Sequence, residues 1–273
     1  MSERVEELGV TSPTDDSINS MEVKLVGQTN QGVVRIGKTV HRKTEPWSPA
    51  VHELLRHLES VNFKYSPRLL GLDEQGREVL SYFDGESGKE AWAKVISDNG
   101  LQAFAKLLRS YHDSVKSFEP KNNNWALTSQ GPNQDEIVCH GDFGPWNTVW
   151  QGQKPVAILD WDFAGPSPAL YDIAYALEYV APFRDDEECI KWLAYPKPPD
   201  RRHRIQVFAK AYRLDSTAGL VDAVINVQQA GIEHVRSLAE KGQQPQLKWV
   251  QDGHLDELAK RVAWSKTNRH LFD

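Results

Sequence analysis

Cysteine is scarce in this sequence. Cys139 and Cys189 are the only two in 273 residues, too few for a disulfide framework, and neither sits at a metal-ligand spacing. Long hydrophobic runs are missing as well: no stretch approaches the roughly 18 apolar residues that a membrane span requires. The N-terminal stretch is acidic and polar and has no apolar h-region, so a secretory leader is not expected. An excess of positive charge is also absent. The net charge of −6 and pI of about 5.9 exclude a nucleic-acid binder that relies on a basic surface. These absences together lead us to expect a cytoplasmic protein with reduced thiols and neither nucleic-acid nor membrane partners.

What is present is ordinary in bulk, with 40% hydrophobic and 26% charged residues, enough for one large domain or two lobes with ample core. Residues 1–20 carry Glu3, Glu6, Glu7, Asp15 and Asp16 against Arg4, and so account for −4 of the −6. With few apolar residues and a Ser/Thr/Pro/Asp cluster, they read as a disordered tail. From Met21 the pattern becomes short β-type runs. Met21–Val26, Val33–Ile36 and Thr39–Arg42 are expected strands, with turns at Gly27–Gly32 and at Gly37-Lys38. A helix follows, with Ser48 as its expected N-cap, Pro49 in its first turn, and Val51, Leu54, Leu55 and Leu58 at helical spacing. Two more strands are expected at Arg68–Leu72 and Glu78–Phe83, around a turn at Asp73–Gly76. Residues 21–84 thus form a β-rich N-terminal unit. Residues 85–273 form a larger helical one, opened by Leu101, Phe104, Ala105, Leu108, Tyr111, His112 and Val115 along a helix face. Loops are expected at Asn122–Asn124, Ser129–Gln134 and Asp185–Glu188, then helices at about 203–213, 218–240 and 254–265.

Gly32-Val-Val-Arg-Ile-Gly37-Lys38-Thr39 matches the phosphate-loop pattern G-x-x-x-x-G-K-[ST] letter for letter. That chemistry also demands a helix opening at the lysine and small residues whose amides can wrap a phosphate. Here Val-Val-Arg-Ile favours an extended strand, and Val-His-Arg-Lys follows where a helix should begin. The expectation is a hairpin; a nucleotide-binding protein using Lys38 is the competing reading.

The stretch that carries chemistry runs from Val138 to Asp172. His140-Gly-Asp142-x-x-x-x-Asn147 puts a carboxylate and a neutral amide on one tight loop turned by Gly141, Gly144 and Pro145. An apolar run, Val156–Leu159, then delivers Asp160 as a second carboxylate. Phosphoryl transfer needs this inventory: one carboxylate to take the acceptor hydroxyl's proton and oxygen ligands for a divalent cation on the phosphates. His140 reads as a core histidine beside buried Val138 and Cys139, and Asp172 as an N-terminal cap or a loop brace.

His140-Gly141-Asp142…Asn147, Asp160-Trp161-Asp162 and Asp172-Ile173-Ala174 together resemble the catalytic core of the aminoglycoside phosphotransferase and choline kinase-like family. The resemblance covers roughly residues 21–273 and implies an α+β, bilobal, protein-kinase-like fold. It further implies ATP and Mg2+ as cofactors and a small-molecule hydroxyl acceptor as partner. Carried over by position, Asp142 is the catalytic base. Asn147 and Asp160 hold Mg2+, Asp162 joins a second ion or the loop, and His140 and Asp172 brace the loop. Glycine at 141, where protein kinases place arginine, disfavours a protein substrate.

In the N-terminal unit the resemblance assigns Arg42 to the phosphates in place of the usual lysine, with Lys43 on the opposite strand face. The backbone of Ser81, Tyr82 and Phe83 is assigned to adenine. The helix glutamate that normally pairs the phosphate-binding cation is missing: Val51 stands where many relatives carry it, leaving His52 or Glu53 as substitutes. The run Trp249–Leu258 makes the aminoglycoside phosphotransferase group the nearest in appearance, and the acids of Asp185–Glu188 offer either a counter-charge to a cationic acceptor or a solvated face. A catalytically weak relative acting as a binding or scaffold module is a further reading.

Overall fold

The computed structural model describes residues 22–25, 32–126 and 136–273. The tail expected over 1–20, most of the turn at Gly27–Gly32 and the loop at Ser129–Gln134 lie outside the described residues. The first structural layer is a five-stranded antiparallel sheet with the order β1-β2-β3-β5-β4. Its strands are Glu22–Lys24, Val34–Ile36, Thr39–Arg42, Leu69–Leu72 and Glu78–Ser81 in chain order. Ile36 pairs with Thr39 across the two-residue turn Gly37-Lys38, where Gly37 takes φ +56°. The phosphate-loop lettering therefore sits on a β-hairpin. A strand, not a helix, leaves Lys38, so the Lys38 nucleotide reading fails on backbone geometry.

Helix α1, Ser48–Ser60, packs against the sheet through Val51, Leu54, Leu55 and Leu58, all at most 1% exposed. Each such leucine contributes about 1.5–3 kcal/mol by burial. The cap differs from the expectation. Trp47 is the N-cap residue, in helical conformation, and Ser48 already lies in the helix. The Ser48 hydroxyl instead accepts from the Glu45 N–H at 2.9 Å, closing the preceding turn.

Beyond β5 the chain is mostly helical. Short α2 (Ala91–Lys94) leads into α3 (Asp98–Val115), capped by Ser97. All seven residues expected on the core face of α3 are buried. Two small antiparallel pairs follow: β6 (Glu136–Cys139) with β9 (Gly165–Pro168), and β7 (Thr148–Gln151) with β8 (Lys154–Ile158). Glu86 bridges to Trp150, tying the segment after β5 to β7. Gly85 lies so close that a Cβ there would meet the Trp150 carbonyl oxygen at 2.5 Å. The remaining helices are α4 (Leu170–Val180), α5 (Asp186–Trp192), α6 (Arg201–Tyr212), α7 (Leu220–Glu240), α8 (Gln246–Gln251) and α9 (His254–Thr267).

Residues 185–188 form the start of a helix, correcting the loop expected there. Asp185 is the N-cap and accepts from the Glu188 N–H, while Asp186, Glu187 and Glu188 occupy the first turn, where the helix dipole favours negative charge. Asp186 pairs with Arg201 and Glu188 with Arg261. Two of the acids offered to a cationic ligand are thus paired within the fold.

Candidate active site

Strand β6 ends at Cys139, and the loop that follows is pinned by Asp172. The buried Asp172 carboxylate accepts from the His140 N–H at 2.7 Å and the Gly141 N–H at 2.9 Å. Gly141 has φ +82°, a left-handed conformation that suits glycine. The His112 ring meets the same carboxylate at 3.0 Å and the Tyr212 hydroxyl at 2.6 Å. Burial alone would raise the Asp172 pKa, but these donors hold it below the usual carboxylate range. Its hydrogen bonds run to the loop before it rather than to the N-terminus of its own helix, which corrects the capping alternative.

His112, Cys139 and Asp172 also approach one another closely enough to suggest a metal cluster. Their polar atoms are already engaged, however. Both Asp172 oxygens and both His112 nitrogens carry hydrogen bonds, and burial keeps the Cys139 thiol protonated against the Ser167 and Pro168 carbonyls. This is a hydrogen-bonded core.

His140 is fully buried, with its ring edge-on to Trp161 at 4.7 Å. Its Nδ1 accepts from the Asp142 N–H at 3.2 Å, so its proton resides on Nε2, which donates to the Leu159 carbonyl at 2.9 Å. Burial lowers its pKa and favours the neutral ring. The histidine thereby links the loop bearing Asp142 to the strand end bearing Asp160.

Asp142 receives three side-chain donors. Tyr175 donates to Oδ1 at 2.5 Å, Asn147 Nδ2 to Oδ2 at 2.8 Å, and Trp146 Nε1 to Oδ2 at 3.4 Å. Burial raises the Asp142 pKa, and the three donors oppose that shift. Asn147 Nδ2 also donates to the Asp142 carbonyl, which leaves the Asn147 amide oxygen for another partner.

Asp160 follows β8 at φ +60°, a conformation uncommon for a residue other than glycine. Burial raises its pKa to about 7, with Asp162 adding repulsion and Arg42 opposing it. Asp162 is held by Arg42 through a two-pronged pair at 2.9 and 3.1 Å, and Asp160 lies 3.8 Å from the same guanidinium. Two half-buried carboxylates close in sequence, with the Asn147 amide oxygen left unused, suit a hard divalent cation, which takes oxygen ligands and relieves like-charge repulsion.

Arg42 Nε donates to Glu78, the residue opposite it on β5. Glu78 is fully buried, and its other oxygen meets His52 Nε2 at 2.5 Å. At the end of β5, the Ser81 N–H is taken by the Arg68 carbonyl and the Tyr82 N–H by the Lys38 carbonyl, both at 2.9 Å. The adenine assignment is therefore corrected for these two donors. Among the described residues nothing accepts from the Phe83 N–H, so of the three it alone can donate to a base.

A sequence model described as the phosphotransferase enzyme family matches residues 122–202, the segment holding Asp142, Asn147, Asp160, Asp162 and Asp172. The trifolitoxin immunity protein of Rhizobium leguminosarum bv. trifolii is 34% identical over 213 residues, covering 75% of this chain and 79% of that protein. The chain belongs to the phosphotransferase enzyme family. Solved structures agree on the kinase-like fold. An amicoumacin kinase complexed with AMP-PNP, Ca2+ and Ami superposes with a TM-score of 0.61 at 13% identity, over 90% of this chain and 88% of that one. A choline/ethanolamine kinase family protein from Mesorhizobium loti gives 0.57 at 14% identity, over 92% and 94%. The GDP complex of aminoglycoside 2'-phosphotransferase-IIIa gives 0.55 at 16%, over 93% and 95%.

Within this phosphotransferase, the partner of the sheet cation is the main departure from expectation. Neither His52 nor Glu53 supplies the acid. Glu53 accepts from the N–H groups of Lys121 and Asn122, and His52 serves Glu78. The acid comes from the neighbouring strand, at a position that the β3–β5 register could have identified. Tyr175 was also missed; its signal is the helical spacing Asp172-x-x-Tyr175, which aims both side chains at the same loop.

Proposed function

We propose that the protein transfers the γ-phosphoryl group of ATP to a hydroxyl of a small molecule. The observation that carries this reading is Asp142, a half-buried carboxylate held by Tyr175, Asn147 and Trp146 on the loop that His140 links to the Leu159 carbonyl, next to Asp160. Asp142 orients the acceptor hydroxyl and takes its proton as the oxygen attacks the γ-phosphorus. The bond to the β–γ bridging oxygen breaks, and ADP leaves. Asn147, Asp160 and Asp162 would hold Mg2+, which when bound supplies charge neutralisation for the phosphates. Arg42 stands beside these carboxylates as the phosphate cation, and the Phe83 N–H serves the adenine.

A relative that bears the name of trifolitoxin immunity fits a kinase whose acceptor is a toxic compound. The decisive experiment is ADP release across a panel of hydroxylated acceptors, with Asp142→Asn as the blank. Turnover above that blank supports the reading. Equal release by both proteins with every acceptor would sink it and favour the scaffold reading.

A further inference from the structure

Beside Asp142 lies a group of aromatic rings whose faces the chemistry above does not use. Tyr171, Tyr175 and Tyr179 recur at every fourth residue of α4 and are half-buried along one helix face. The Trp146 ring stands 4.6 Å from Tyr179 and 5.2 Å from Trp92. Trp146 and Tyr175 are also two of the donors to Asp142, so the wall begins at the base itself.

The far end of the wall is charged. The Arg184 guanidinium lies 5.1 Å over the Tyr179 ring. Arg184 is 6% exposed, yet its neighbouring carboxylates, Glu178 at 3.7 Å and Glu188 at 3.9 Å, stand beyond hydrogen-bond distance. Among the described residues no group accepts from its Nε or Nη2. Arg261 Nε and Gln228 Oε1 are unsatisfied too, so this one cluster holds four of the eight buried side-chain polar atoms that lack a partner among the described residues. A native fold rarely leaves such groups unpaired; each would cost about 1–3 kcal/mol, which points to an occupant that supplies the missing partners. Three of the four are N–H groups on guanidinium cations, so the occupant brings acceptor oxygens, preferably anionic.

We infer that the wall from Trp146 to Tyr179, ending at Arg184, is the acceptor subsite, and that it takes a hydroxylated aromatic carboxylate. The hydroxyl lies at Asp142, the planar ring lies against the tyrosines, and the carboxylate lies on Arg184. This rests on the phosphotransfer reading and names its substrate class.

The test titrates the full chain with 4-(hydroxymethyl)benzoate, with its methyl ester and with kanamycin, following quenching of tryptophan emission. The acid is expected to bind about tenfold or more tighter than the ester, the margin of a charge-assisted hydrogen bond. Arg184→Gln should abolish that margin while far-UV circular dichroism stays unchanged. Should Arg184→Gln fail to fold, Tyr179→Leu at a half-buried position should weaken acid and ester alike by several-fold. Lys38→Ala, in the distant hairpin turn, should change neither. Equal binding of acid and ester, kanamycin binding in preference to both, or no saturable binding of the acid overturns the subsite. Asp142→Asn separates the two readings: it should keep the preference for the acid over the ester while losing ADP release. A wild-type protein that prefers the acid but shows no more ADP release than this variant overturns the kinase reading alone.

Discussion

At the scale of single residues the site is a set of hydrogen bonds that fix carboxylates. Tyr175→Phe removes one of the three donors to Asp142 without changing the packing volume much. Its kcat is expected to fall about tenfold with the KM for ATP unchanged, since a hydrogen bond to a charged group contributes about 1.5–3 kcal/mol. Steady-state kinetics with any acceptor that turns over would check this. Glu78→Ala takes away the acceptor of Arg42 Nε and of His52 Nε2, while Arg42 keeps its two-pronged pair with Asp162. A hydrogen bond to a charged group contributes about 1.5–3 kcal/mol, so the urea midpoint should fall, and Glu78→Gln, which keeps one acceptor, should lose less. The sequence identified the acids and amide of Val138–Asp172 because their spacing is local. Glu78 and Tyr175 were harder to read, because each meets its partner only through strand register or helix phase.

At the scale of elements, the five strands of the first sheet, the apolar run of β8 and the buried face of α3 were legible from period, whereas β6, β7 and β9, four residues each, are too short to show one. Other differences came at element ends. Ser48 resembles a cap but closes the turn before α1, and the acids at 185–188 resemble a solvated loop but start a helix. Asp185→Ala should therefore cost about 1 kcal/mol of thermal stability through the lost cap, with little effect on turnover. The turn between β4 and β5 offers a pH test. Asp73 is held well below the ordinary carboxylate range by hydrogen bonds from His41 and Arg77 that outweigh burial. A depressed native pKa contributes stability above the unfolded value of about 3.9 and loses it as pH falls below that. Melting temperature should therefore decline more steeply between pH 5 and pH 2 in the wild type than in Asp73→Asn.

For the molecule as a whole, the expectation of a β-rich part followed by a helical part came from the change in hydrophobic period near residue 85. Bringing Arg42 to the acids of Val138–Asp172 is a property of the assembled chain, because Arg42 and Asp162 lie 120 residues apart. Chelation tests that assembly. EDTA should reduce ADP release to the level of Asp142→Asn, and added Mg2+ should restore it. If turnover persisted in EDTA, the roles given to Asn147, Asp160 and Asp162 would be wrong.

The cross-strand pair of Arg42 and Glu78 has an evolutionary consequence. Where a helix glutamate secures the sheet cation, the strand position is free to vary. Here Val51 is a core residue, and Arg42, His52 and Glu78 form one hydrogen-bonded unit whose members should change together. A lysine at 42, as a compact point charge on a flexible stem, could not span from Glu78 to Asp162 as the guanidinium does. Among homologues, arginine at 42 should therefore travel with glutamate at 78, and lysine with glutamate at 51. Ancestral reconstruction should find few chains carrying the mixed pairs.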